Sequence, residues 1–232
     1  MDKPFAAARS GAAAIPEPVF PPDAAKRPRG RPRKTADERD EGNRRQELIR
    51  SAARLFRRQG FDATSTRDIA AAVGMGSGSP FYHFKSKGAL LFAVMETGMR
   101  SAIDKQARAL QQTGPATPEP RALLAALIRN HFDVLLGPGN DFIPVMLYES
   151  RAISARQRAV LAALQGEYEA PWVPVLAALH ASGQLKADVK LARLLIFGAL
   201  NWSVQWFDRK QGASLAALTE AAIALFTQDK KR

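Results

Sequence analysis

From Asn43 onward the apolar positions of this chain recur at helical spacing. In NRRQELIRSAARLFRRQG (43–60), Leu48, Ile49, Ala52, Ala53, Leu55 and Phe56 fall on one face, and Arg44, Arg50, Arg54, Arg57 and Arg58 on the other. That pattern predicts an amphipathic helix with a cationic outer face, stopped at Gly60. In FDATSTRDIAAAVGMG, Thr64 or Ser65 is suited to cap a second helix, Ile69, Ala70 and Val73 make a short apolar stripe, and Gly74 ends it. A third helix restarts over 76–79, with Pro80 in its first turn, where no N–H is needed. Two short helices across a tight glycine turn predict a helix-turn-helix. Ser86 then caps a long helix through Leu90, Leu91, Val94 and Met95.

Helical spacing continues to the end. Helices are expected near 86–112, 121–136, 142–151, 154–182, 189–208 and 213–228, with breaks at TGPATPEP, GPGN, Gly183 and Gly212. Strand-like alternation is missing and no internal repeat occurs. The expected fold is all-α, a three-helix unit over 43–88 followed by a helical domain over 89–232. Residues 1–42 are rich in Ala and Pro and poor in core formers, so they are expected to be disordered when free.

Charge adds a direction to this picture. The 232 residues carry a net +12, with a pI near 10.5, which suits an anionic polymer or surface. Residues 1–34 hold eight Lys/Arg against three acids, and KRPRGRPRK (26–34) holds six basic residues in nine. With no Cys, disulfides and thiolate metal sites are excluded. No apolar run is long enough to span a membrane. Pro4, Arg9 and Pro16 interrupt the Ala-rich start, which makes a poor signal-peptide core. A soluble, cytoplasmic protein is expected.

Over about residues 43–95 the chain resembles the TetR family of transcriptional regulators. The resemblance is carried by Ala53, Leu55-Phe56, Gly60-Phe61, Thr64-Ser65, Asp68-Ile69-Ala70, Gly74, Gly78-Ser79, Tyr82-His83-Phe84-Lys85, Ser86-Lys87 and Leu90-Leu91. It implies a DNA-binding helix-turn-helix domain over 43–88 and an effector-binding and dimerisation domain over 89–232. It further implies a homodimer on near-palindromic double-stranded DNA, usually a repressor released by a small molecule. Helices 189–208 and 213–228 are the expected dimer interface, where Gly198, Ala199, Ala217, Ala221 and Ala222 allow close approach.

By similarity to the family, Thr66 and Arg67 at the start of the second helix, and Ser79, Phe81, Tyr82, His83 and Lys87 around the third, match DNA-contact positions. If Pro80 and Phe84 face inward, Ser77, Ser79, Phe81, Tyr82 and Lys85 face outward. Arg67 can reach the O6/N7 edge of guanine, while Tyr82 and Lys87 suit phosphates. Family members commonly have Tyr where Phe81 stands; Phe81 either touches a thymine methyl or simply packs. The stretch Arg29-Gly30-Arg31-Pro32 resembles the core of an AT-hook. Arginines are drawn into narrow, negative A-tract minor grooves, Gly30 lets the backbone approach the floor, and Pro28 and Pro32 keep the chain extended. The alternative is a basic tail that only touches phosphates.

The segment 142–206 resembles regulators of fatty-acid, acyl-CoA or sterol degradation within that family, through Tyr148-Glu149-Ser150-Arg151, Tyr168-Glu169, Gly198-Ala199-Leu200-Asn201-Trp202 and Trp206. His131, Tyr148, Arg151, Trp172 and Trp202 are the candidate ligand-binding residues. Arg151 beside an apolar cavity would suit an acid or thioester; its alternative is an ordinary ion pair with Glu149 or another acid. Trp202 and Trp206, one turn apart, also read as core or interface aromatics. The three histidines, His83, His131 and His180, show no metal-ligand spacing, and no nucleophile, P-loop or dinucleotide motif is present. No enzyme activity, metal or cofactor is expected. An architectural protein of AT-rich DNA without an effector is the alternative function.

Overall fold

A computed structural model describes residues 36–76, 80–113, 118–208 and 213–228. The described elements are all helical: α1 (Ala36–Gln59), α2 (Thr66–Ala72), α3 (Pro80–His83), α4 (Lys87–Gln111), α5 (Pro120–Leu136), α6 (Phe142–Glu149), a 3-10 turn (Ser150–Ala152), α7 (Ala155–Glu169), α8 (Trp172–Ala181), α9 (Val189–Trp206) and α10 (Leu215–Phe226). Among them, no helix is long and apolar enough to cross a membrane.

Helix ends follow local chemistry. Ser65 and Asp68 form a capping box: the Ser65 hydroxyl accepts the Asp68 N–H at 3.1 Å, and the Asp68 carboxylate accepts the Ser65 N–H at 2.8 Å. The Ser65 hydroxyl and N–H, both donating to the Asp68 carboxylate, hold that carboxyl below its ordinary range. Gly74 closes α2 with φ 66°, a conformation that a side chain resists. Ser154 and Gln157 form a second capping box at α7, while the Ser86 and Ser214 hydroxyls cap α4 and α10 by accepting the Ala89 and Ala217 N–H.

Three expectations need correction. First, α1 starts at Ala36, not near Asn43, so 36–42 are helical and not part of a disordered arm. This stretch, ADERDEG, has no apolar stripe to betray it, and its acids suit the positive end of a helix dipole. Second, the single helix expected over 154–182 is two, α7 and α8. Pro171 donates no N–H, so the chain turns there before Trp172. Third, the helix expected over 142–151 stops at Glu149 and tightens into the 3-10 turn.

Packing joins the two parts through α4. Its first half, with Leu90, Leu91 and Val94, seals Leu48, Ile49, Ala52 and Phe56 of α1 and Ile69 of α2. Its second half packs on α5, α6 and α7. At Gly98 a side chain would bring a Cβ within 2.5 Å of the Phe142 Cβ, so the absence of a side chain lets α6 lie close on α4. Behind them Leu127, Ile128, Trp172, Leu176, Ile196 and Ile223 fill the interior between α5, α8, α9 and α10.

Candidate DNA-binding face and ligand cavity

On the helix-turn-helix, Arg67 and Lys85 are exposed, Tyr82 is 81% exposed, and Thr66 and His83 are partly covered. Tyr82 meets the His83 ring edge-on at 5.6 Å. Phe84 is buried beneath the Arg45 guanidinium, 4.9 Å from its ring centre, which fits the inward position expected for it. Arg29, Gly30, Arg31, Ser77, Ser79 and the Phe81 side chain lie outside the described residues.

Lys87 makes contacts within the protein. Its ammonium turns inward, donating to the carbonyls of Phe61 at 2.8 Å and Thr64 at 3.0 Å, and it sits 4.2 Å from the Phe61 ring centre. There it ties the start of α4 to the α1–α2 corner. A phosphate would have to compete with those carbonyls. Lys87→Met removes the charge-assisted bonds to Phe61 and Thr64, each worth about 1.5–3 kcal/mol, and a longer one of 3.4 Å to the Asp62 carbonyl. We expect a lower melting temperature and weaker binding to every DNA, with the salt dependence unchanged. A phosphate-contacting Lys87 would instead leave melting intact and reduce the slope of log K against log salt by about 0.9.

The second site is a cavity of about 310 Å³, bounded by α4, α5, α6, α7 and α9. Its apolar wall includes Met99, Val134, Ile143, Leu161 and Phe197, and its rim includes Ser150, Arg158, Gln165 and Glu169. Arg158 donates to the Ile153 carbonyl, and Glu169 forms an ion pair with Arg193 of α9. At the inner end, His131 Nδ1 lies 3.0 Å from the Tyr168 hydroxyl and Nε2 lies 3.2 Å from Asn201 Oδ1. Burial pushes the His131 imidazole down to about 4, with Asn201 opposing, and pushes the Tyr168 phenol up. Both are therefore neutral at physiological pH. The Asn130 amide nitrogen is buried beside that phenol without a well-formed hydrogen bond.

Of the five candidate ligand residues, only His131 lines this cavity. Trp172 is fully buried behind it, edge-on to His131 and 4.7 Å from Phe197 by ring centres, with its N–H on Gln106 Oε1 at 2.8 Å. Tyr148 points to the opposite side of α6, where Gln205 Nε2 donates to its hydroxyl. Arg151 is exposed on the 3-10 turn, and Glu149, one of the acids considered as its partner, accepts the Phe61 N–H at 3.0 Å instead. Trp202 is 65% exposed on α9. Helical phase explains the last case: with Phe197 and Asn201 facing the cavity, Trp202 lies about 100° further round the helix from Asn201. Tyr168 and Asn201 stood in stretches that carried the resemblance, and Arg158 had no sequence signal.

The two sites share α6. Ile143, Met146 and Leu147 face the cavity, while Glu149 holds the α1–α2 corner. Just before α6, Asp141 accepts from Arg57 of α1 at 3.0 Å, and the Asn140 carbonyl accepts from the same guanidinium at 3.1 Å.

A helix-turn-helix carried on α1–α4, with a partly apolar cavity lined by helices behind it, defines a class of ligand-responsive DNA-binding proteins. The particular family follows from the sequence: residues 48–94 match the family of bacterial regulatory proteins called tetR, residues 117–229 match the tetracyclin repressor-like C-terminal domain, and the chain belongs to the TetR family of transcriptional regulators. The HTH-type transcriptional repressor KstR2 of Rhodococcus jostii (strain RHA1) is 28% identical over 188 residues, 80% of this chain and 89% of that protein. A solved structure of the superantigen PfiT is 38% identical, with a TM-score of 0.67, over 80% of this chain and 96% of that one. AibR, solved in complex with isovaleryl coenzyme A and operator DNA, shares the fold at 21% identity, with a TM-score of 0.71 over 79% of this chain and 97% of that one. The protein is a DNA-binding transcriptional regulator.

Proposed function

We propose that this regulator is a dimeric repressor, bound to a near-palindromic operator in the cytoplasm and released when a small apolar or acyl-type effector fills the cavity. The observation that carries this reading is the double use of α6. Any ligand that displaces Ile143, Met146 or Leu147 also moves the element that holds Glu149 against Phe61 and Asp141 near Arg57. A ligand can shift DNA binding only through such a differential contact. Two comparisons support it: KstR2 is a named repressor, and AibR was solved with an acyl coenzyme A and its operator.

On the DNA, Arg67 reads a base edge, and Thr66, Tyr82, His83 and Lys85 contact the groove or its phosphates, joined by Ser77, Ser79 and Phe81. Arg29, Gly30 and Arg31 extend the contact into an AT-rich minor groove. Dimerisation uses α9 and α10. Leu191, Leu195, Trp202 and Trp206 of α9 are each more than half exposed and recur along one stripe, and Leu225 of α10 is exposed as well. Deleting the gene and measuring transcripts beside its operator tests the repressor reading. Transcripts that rise fit it, and transcripts that fall would mean an activator.

A further inference from the structure

The inner end of the cavity has a fixed hydrogen-bond polarity, set by a chain of three residues. His131 is buried among Tyr168, Trp172 and Phe197 and carries a single ring proton. Asn201 Oδ1 can only accept, so that proton lies on Nε2 and points at Asn201. Nδ1 is then the acceptor for the Tyr168 O–H. With its oxygen engaged, the Asn201 amide turns its nitrogen away from His131. That nitrogen has no hydrogen-bond partner among the described residues, and Asn201 lies on the cavity wall, only partly covered. The chain thus offers an incoming molecule an N–H donor.

The charged groups near the cavity do not face this end unpaired. Arg158 is exposed at the rim and engaged with the Ile153 carbonyl. Glu169 is neutralised by Arg193. A carboxylate brought to Asn201 would meet an amide and a neutral imidazole, without a counter-charge, in apolar surroundings.

We propose that the part of the effector that enters this end of the cavity is uncharged and largely apolar, and that it carries an acceptor oxygen of the ketone or ester type, which docks on Asn201 Nδ2. Its apolar body lies along Met99, Val134, Ile143, Leu161 and Phe197. His131 and Tyr168 are positioning residues that hold the Asn201 amide in one orientation. This inference rests on the effector reading above and selects among the chemistries that reading allows.

Binding of two matched series to the full-length protein tests it, methyl ketones and carboxylates of six to twelve carbons, measured by calorimetry without DNA. The expected result is that the best ketone binds at least tenfold more tightly than the carboxylate of equal length. Asn201→Leu should abolish that preference while the melting temperature shows the variant folded. Should Asn201→Leu fail to fold, the isosteric Asn201→Asp, which has no donor, is expected to give the same loss. Carboxylates that bind as tightly as ketones, and lose affinity on Arg158→Ala, would overturn the polarity argument and leave the effector reading standing. A ketone preference that survives in both Asn201 variants would overturn it equally. If no member of either series binds, the effector reading itself fails.

Discussion

Replacing both Leu195 and Trp202 with glutamate is expected to leave a folded monomer that has lost most of its operator affinity. The two side chains are 67% and 65% exposed in the isolated chain, on one stripe of α9, so charging them costs the protomer's own core little. In the proposed dimer the same patch meets itself across a two-fold axis, and each substitution would place like charges at a surface meant to be dry. A monomer can grip one half-site only. Loss of the linked second half-site weakens binding by about 10²–10⁴-fold through effective concentration alone. Sedimentation and a binding titration on the same operator read both effects. A variant that stays dimeric with unchanged affinity would place the interface elsewhere on the molecule.

The second large effect is on stability. Trp172 is fully buried where α8 meets α5 and α9, and its N–H satisfies Gln106, whose own amide donates to the Tyr168 carbonyl at 2.8 Å. Trp172→Ala removes the indole, leaves a cavity and strips Gln106 Oε1 of its donor. Burial and cavity losses for such a change run to about 3–5 kcal/mol, which is a large share of a typical domain's margin of about 5–15 kcal/mol. A fall in melting temperature of roughly 10 °C is expected. Trp172→Phe keeps most of the packing but not the hydrogen bond, so it should fall between the two. If Trp172→Ala melts like the parent protein, the packing described around α8 is wrong.

The helix-turn-helix was legible because each of its parts has a local signature. Ser65 with Asp68 marks a helix start, Gly74 marks a stop, and the spacing of Ile69 and Ala70 shows which face is covered. The first turns of α1 were hidden because a charged segment can be helical without an apolar stripe. The break before α8 was written in Pro171, but the apolar spacing on both sides masked it. Cavity residues were the least legible. Met99, Val134, Ile143, Leu161 and Phe197 come from five helices and look like any core residue, since only the tertiary arrangement decides which of them border empty space. Trp172 and Trp202 have side chains suited to an apolar ligand, but packing puts Trp172 behind the cavity and helical phase puts Trp202 outside it. The internal bonds of Lys87 were hidden for a related reason. A lysine beside a DNA-contacting helix reads as a phosphate ligand, and only the fold shows that the carbonyls of Phe61 and Thr64 lie within its reach.

The central claim is that a symmetric pair of helix-turn-helix units reads a specific operator. Selection of sheared genomic DNA on the full-length protein, followed by sequencing of what is retained, tests it most directly. The account predicts a short inverted repeat, with AT-rich flanks where the KRPRGRPRK arm can reach the minor groove. Retention of AT-rich DNA in general, with no repeat and no dyad symmetry, would contradict it and make the arm the main DNA-binding element.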